Sequence, residues 1–334
     1  MKKLLSFLFF IISFTTLRAQ DVHYSMYDFS PLILNAGETG YFEGDWRGTA
    51  NFREQWKSLG DPFQTISAAY DQHLYMLPGQ FSVGLLFIND RSGNIDLINN
   101  RIALSFAYKK ETAVWDYSVG VQTGLVLKSF GLNGTTFPEQ YNDNIGAFDP
   151  SLPLSEQNLG NQRNYFNLNA GGLVVRKFRS GQVKLGISAM HLNSPDVSFF
   201  EREEKLEPRL NTYIQVRKDL ASNLFVRPMI LLARHNGAQE LLLGGDVGLY
   251  APESDFVDEI FLGIDVRDGF NRNGDAFIAS LGFAMDNFTV GLAYDINYSG
   301  LNESTNNRGA IEVSLIYISP STAIKQITIP CDRF

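Results

Sequence analysis

The sequence predicts an all-β fold, a transmembrane antiparallel outer-membrane β-barrel of about 14 strands. Period-two alternation of apolar with small or polar residues recurs from about residue 47 to about residue 318, and helical periodicity is nearly absent. Many alternating segments reach ~10 residues, the length of a tilted strand crossing a bilayer, whereas soluble strands average about 5–6. The connections alternate between short and long, as a membrane wall with tight turns on one side and long loops on the other requires.

The chain opens with Lys2 and Lys3, an apolar run from Leu4 to Phe14, and Ala19 before Gln20 and Asp21. That order is a secretory signal peptide over residues 1–19. The apolar run is too short for the ~20 residues of a spanning helix. No later apolar stretch approaches ~18 residues, which leaves strands as the only means of crossing. Residues 20–46, with Pro31, Asn35 and Gly37, alternate only patchily and form an N-terminal segment that could plug the lumen or lie across its periplasmic mouth.

Residues 47–318 form the barrel. Candidate strands begin near Arg47, Phe63, Phe81, Leu97, Val114, Arg163, Gly181, Arg209, Asn223, Glu240, Val257, Ala276, Phe288 and Arg308. The clearest runs from Phe288 to Tyr298: Phe288, Val290, Leu292, Tyr294, Ile296 and Tyr298 point one way, while Thr289, Gly291, Ala293, Asp295 and Asn297 point the other. Such a strand suits lipid on one face and a lumen on the other. Lys110–Ala113, Arg179–Gly181, Leu220–Ser222 and Asp286–Asn287 read as tight turns. Ser129–Gln162, Asn193–Pro208, Asp268–Asp275 and Ser299–Asn307 read as external loops. A β-sandwich would alternate too but has no reason for this parity. Closure follows because lipid offers no partner to an open sheet edge. Trp56, Tyr70, Tyr75, Tyr108, Tyr165, Tyr250 and Tyr317 lie near strand ends, as aromatic girdles or as ordinary strand propensity. Residues 319–334, with Pro320 and Pro330, are a poor wall strand and form a periplasmic tail.

Composition excludes several classes of function. The net charge is -8, and removing the leader's three cations leaves the chain more acidic. That argues against nucleic acid and against an anionic membrane surface as partners. Cys331 is the single cysteine; it forms no internal disulfide or CxxC site and is a harmless thiol or an intermolecular contact. His23, His73, His191 and His235 show no metal-ligand spacing. The run from Asp90 to Asp96 has its Gly too early for a calcium loop and Arg101 where the closing Glu belongs. There is no GxSxG elbow. No cofactor and no metal are expected.

Charged residues within strands carry the functional signal. Asp71, Arg101, Arg227, Asp265, Arg267, Asp295 and Glu312 would cost ~2–4 kcal/mol each for a cation at mid-depth in lipid, so they are expected in the lumen. There they form a salt-bridge network, a polar substrate path or a surface on which a plug docks.

From Tyr24 through Pro31 to Asn35 the chain resembles the start of the PorP/SprF family, outer-membrane proteins of the type IX secretion system. The resemblance continues in Arg53-Glu54-Gln55-Trp56, Gly60-Asp61-Pro62-Phe63-Gln64-Thr65, Tyr70-Asp71 and Ile88 to Gly93. It returns in His191-Leu192-Asn193-Ser194-Pro195, in Tyr294-Asp295 through Leu301, in Gly309 to Ser314 and in Pro330 to Phe334. The family usually has Asn-Pro-Ala where Asn35-Ala36-Gly37 stands, and Pro where Asp332 stands. The resemblance implies a role in export or surface attachment of large secreted proteins, gliding adhesins included. It also implies association with a periplasmic ring of a lipoprotein and its partner, and an address in the outer membrane of a Gram-negative bacterium. The alternatives are a porin or transporter for small or hydrophobic solutes, suggested by the charged lumen, and an outer-membrane hydrolase, disfavoured by the missing Ser/His/Asp signature.

Overall fold

The computed structural model describes residues 22–75, 80–93, 97–131, 140–143, 145–149, 151–152, 162–199, 203–254, 256–269, 274–300 and 305–322. The expected signal peptide, residues 94–96 of the Asp90–Asp96 run, the centre of Asp268–Asp275 and the tail around Cys331 lie outside the described residues.

Sixteen strands follow in chain order: β1 Trp46–Gln55, β2 Phe63–His73, β3 Gln80–Ser92, β4 Leu97–Glu111, β5 Trp115–Ser129, β6 Tyr141–Asn142, β7 Ala147–Phe148, β8 Gln162–Phe178, β9 Gly181–Met190, β10 Arg209–Ala221, β11 Leu224–His235, β12 Ala238–Tyr250, β13 Glu259–Asp268, β14 Ala276–Met285, β15 Phe288–Asn297 and β16 Arg308–Ile318. Fourteen of them close a barrel in which each strand pairs antiparallel with the next barrel strand in the chain and β1 pairs with β16. β6 and β7 form a separate two-stranded hairpin, so the long loop after β5 holds structure of its own. Among the described residues no helix is long and apolar enough to cross a membrane.

Alternation sets which face each residue takes. Along β5, Trp115, Tyr117, Val119 and Val121 are exposed on the outside, while Asp116, Ser118, Gly120 and Gln122 are buried inside. A register slip of one residue would exchange the two sets. The outer belt is apolar throughout: Ile66, Leu104, Val119, Leu262 and Ile264 are all exposed. Burying them takes lipid.

Loop parity holds for most connections but not all. Residues 236–237 make a tight turn on the long-loop end, and residues 251–258 make a longer turn on the short-turn end. There Ala251 N donates to Asp258 O and Ser254 Oγ caps the amides of Phe256 and Val257. Local hydrogen bonds thus stabilise a turn longer than pairing alone needs. Aromatic rings gather at the short-turn end of the β1–β16 seam, where Trp46 lies 4.8 Å from Tyr317 and 5.5 Å from Tyr70.

The interior is filled by the chain's own N-terminal segment. It makes three short turns, Tyr27–Phe29, Pro31–Leu34 and Ala36–Glu38. Pro31 suits a first helical position, where its missing N–H costs nothing. Met26, Tyr27, Phe29 and Leu34 pack with Tyr213, Phe225, Met229, Phe261 and Ile278 of β10, β11, β13 and β14. Tyr24 and Ile33 pack with Leu86, Ile88 and Ala103 of β3 and β4. The wall makes room with glycines. A Cβ on Gly120 would come within 2.2 Å of Ala36 O, and one on Gly171 within 2.0 Å of Asn35 Oδ1.

Candidate functional site

The lumen brings together the charged strand residues and the N-terminal segment. Its main cluster lies where β13, β15, β16 and β1 adjoin. Arg53 reaches Asp295 at 2.8 Å and Glu312 at 3.2 Å. Arg267 reaches the same Asp295 oxygen at 2.8 Å and meets Asp275 at the rim at 2.5 Å. Glu312 accepts the backbone N–H groups of Ser25 at 2.7 Å and Met26 at 3.0 Å. Ser25 Oγ donates to Asp295 at 2.7 Å and accepts from Arg53 at 2.6 Å and Arg267 at 3.0 Å. All four wall residues are at most 3 % exposed. Buried charges persist only when paired and hydrogen-bonded; here two buried guanidiniums meet two buried carboxylates around one serine of the N-terminal segment.

A second cluster lies below it, towards the short-turn end. Asp71 pairs with Arg47 at 2.8 Å and accepts Gly40 N–H at 2.7 Å. Arg47 also donates to Glu38 O at 2.9 Å. The Glu38 carboxylate takes Lys184 at 3.1 Å and the Tyr213 hydroxyl at 2.5 Å. Asn35, wholly buried, donates to Gly172 O at 3.0 Å and Tyr213 Oη at 3.2 Å and accepts Gly37 N–H at 2.8 Å. The segment's carbonyls are met as well: Gln122 donates to Leu32 O at 3.0 Å, Ser188 to Leu34 O at 2.7 Å and Ser118 to Gly37 O at 2.6 Å. Irregular backbone at membrane depth needs such partners.

The third group, on β11 to β14, is different. Arg227 stands 3.0 Å from Asp246, and its guanidinium lies 4.1 Å over the Phe261 ring. Asp28 of the N-terminal segment lies in the field of Arg227, and Asp265 in the fields of Asp246 and Asp28. Asp265 is 3 % exposed, and its Oδ1 has no hydrogen-bond partner. Although Asp265 and Arg267 share a face, they do not pair.

The remaining predicted residues take structural places. Arg101 is buried near His23 and Arg209 in the upper lumen. His191, in the left-handed region at φ 57°, donates its N–H to Asn169 at 3.0 Å and places Nδ1 2.8 Å from Asn167 Oδ1. Asn193 bridges Phe166 O at 2.7 Å and Leu168 N at 3.0 Å. Pro195 O accepts Leu206 N–H at 2.9 Å and ties the loop after β9 to itself. Gln55 ends β1, Trp56 stands edge-on to Phe63 at 5.2 Å, and Tyr294 faces outward. Ser25, Glu38, Arg47, Lys184, Tyr213 and Asp246 were not singled out by sequence. Strand parity is the signal that would have found Arg47, which shares the polar face of β1 with Thr49, Asn51 and Arg53.

Ser82 and His73 stand 3.0 Å apart, which invites comparison with a nucleophile and base. Ser82 is fully buried, and a Cβ on Gly40 would lie 1.9 Å from its hydroxyl, so a substrate has no approach. The nearby Asp71 is committed to Arg47 and Gly40. Among the described residues no three His, Cys, Asp or Glu side chains converge to hold a metal.

The pattern of the family described as "Type IX secretion system membrane protein PorP/SprF" matches residues 16–317. None of the curated proteins matches. Among solved structures, a CymD monoaromatic hydrocarbon channel shares the fold at TM-score 0.50 and 9 % identity, over 88 % of this chain and 94 % of that one. Omp33 of Acinetobacter baumannii gives 0.43 and 8 %, over 83 % and 98 %. A Pseudomonas aeruginosa FadL homologue gives 0.43 and 11 %, over 85 % and 92 %.

Proposed function

Because the chain belongs to the PorP/SprF family of type IX secretion system membrane proteins, and its barrel sits in the outer membrane, we propose that it anchors or supports export of secreted proteins, gliding adhesins among them. In this reading the wall fixes the protein in lipid and the long loops face outward to hold the client. The short turns and the tail face the periplasm and contact the lipoprotein ring of the machinery. The chain makes and breaks no bond.

The observation that carries the reading is the filled lumen. Val22 to Asp45 run through the barrel and hydrogen-bond to β1, β2, β4, β5, β9, β10, β15 and β16. A solute channel would have to displace a segment held by buried charged clusters about Ser25 and about Glu38 and by an apolar core between them. An anchor needs only a rigid wall and its loops.

The surface proteome of a deletion strain tests this. Loss of one large surface protein, with other secretion intact, identifies a dedicated anchor. Loss of many identifies a core component of the machine. No loss, together with solute conductance in liposomes, overturns the reading in favour of a transporter. The topology has its own check: a tag inserted between Ser129 and Gln162 should be accessible on intact cells.

A further inference from the structure

The β15–β16 ladder carries one irregularity. Tyr294 faces Ile311 and Ile296 faces Arg308, so Asp295 alone opposes both Gly309 and Ala310. This is a β-bulge with its extra residue on β16. Strict alternation from Ala310, Glu312 and Ser314, all buried inside, would turn Arg308 into the lumen. The bulge reverses that. Arg308 stands opposite Ile296, which faces outward and is 42 % exposed, and Arg308 is itself exposed. Bulges commonly re-aim a side chain in this way.

The re-aimed guanidinium borders an outer-surface groove of ≈ 320 Å³ at the long-loop end of the β1–β16 seam, lined by Glu54, Trp56, Lys57, Tyr294, Arg308 and Ile311. Its lower part is apolar and continuous with the lipid-facing belt through Tyr294 and Ile311, both exposed. Its upper part is charged. The Glu54 carboxylate is spent locally, on Lys57 at 3.0 Å and Gln64 at 3.0 Å. Lys57 keeps two of its three donors. Among the described residues no carboxylate forms an ion pair with Arg308. Trp56, in the left-handed region at φ 56° and hydrogen-bonded through its N–H to Gly309 O, braces the groove against the bulge.

We propose that this bulge builds a binding site for a membrane lipid with an anionic phosphate headgroup. The acyl chain lies along Tyr294 and Ile311, and the phosphate meets Arg308 at the level where the apolar belt ends. The guanidinium fork matches a phosphate bidentately. A cation at this height meets the headgroup layer rather than hydrocarbon.

Native mass spectrometry of the purified full-length barrel tests the site, with dilauroylphosphatidic acid and dilauroylglycerol as probes that differ only in the phosphate. The wild-type chain should bind phosphatidic acid the tighter, and Arg308→Gln should weaken that binding by about tenfold while leaving dilauroylglycerol unchanged. Arg308→Lys should recover part of the loss. Each variant's heat-modifiable mobility on a gel reports that its barrel has formed. Equal binding of the two lipids, or phosphatidic acid binding that is indifferent to Arg308→Gln, overturns the proposal. So does displacement of phosphatidic acid by inorganic phosphate, which would mark a site for a soluble anion.

Discussion

The two flanks of the lumen hold the same segment by different physics. On the β13–β15–β16–β1 flank, Arg53 and Arg267 balance Asp295 and Glu312, and Ser25 and Met26 are hydrogen-bonded into the cluster. On the β11–β14 flank, Arg227 stands among Asp28, Asp246 and Asp265, and an Asp265 oxygen is left without a partner. What holds the segment there is the packing of Tyr27 and Phe29 against Tyr213, Phe225, Phe261 and Ile278. Apolar packing supplies adhesion without direction, whereas the charged clamp fixes register, since each of its members would be orphaned by a shift. The lumen therefore separates adhesion from register, and gathers three carboxyl groups about one guanidinium on the side that mainly adheres.

The largest effect should come from breaking the balanced flank. Arg53→Leu removes the guanidinium shared by Asp295 and Glu312 and leaves Glu312 buried without its ion-pair partner. Loss of one partner of a buried pair costs about 3–5 kcal/mol. Urea unfolding in liposomes, followed by tryptophan fluorescence, should show a loss of that size. A change within about 0.5 kcal/mol, ordinary for surface sites, would mean that the cluster does not hold the segment.

The unbalanced flank should respond with the opposite sign. Asp265→Asn keeps the size of the side chain and replaces a carboxyl group set beside Asp246 and Asp28 by a neutral amide. Stabilisation of about 1 kcal/mol is expected in the same assay, because the amide carries no charge to desolvate or to repel its neighbours. Destabilisation by a similar amount would show that Asp265 is held by an interaction the flank needs.

The two flanks also differ in how far the sequence revealed them. Asp71, Asp265, Arg267, Asp295 and Glu312 were legible as inward-facing because strand parity is local and lipid forbids the other face. The strands themselves were legible for the same reason, to within one or two residues at their starts. What each charge would meet was not legible. Ser25 and Glu312 are separated by 287 positions, and periodicity carries nothing about that contact. The orientation of Arg308 was hidden too, because one extra residue in the β15–β16 ladder reverses parity. The β6–β7 hairpin and the long turn at 251–258 arise from short hydrogen-bonded motifs that alternation does not register.

The smallest effect belongs at the rim, where water weakens the contrast between the flanks. Asp45, where the segment leaves the lumen, accepts Tyr75 Oη at 2.8 Å and Thr322 N–H at 2.9 Å, and so ties the entry of β1 to the end of the chain's described tail. The hydroxyl and amide of Thr322, with help from Tyr75, hold its carboxyl down at about 2, below the ordinary 3.8. A depressed carboxylate contributes fully above its ordinary value and loses its contribution as pH falls towards the folded one. Protection of the Thr322 amide from hydrogen exchange, relative to its intrinsic rate, should therefore be constant at neutral pH. It should begin to fall below about pH 4 and be gone near pH 2. Asp45→Asn should flatten that profile while leaving the urea midpoint of the barrel where it was, because an exposed contact adds little to global stability. A midpoint that moved with Asp45 as far as with Arg53 would erase the distinction between rim and lumen and make the tail part of what holds the segment in place.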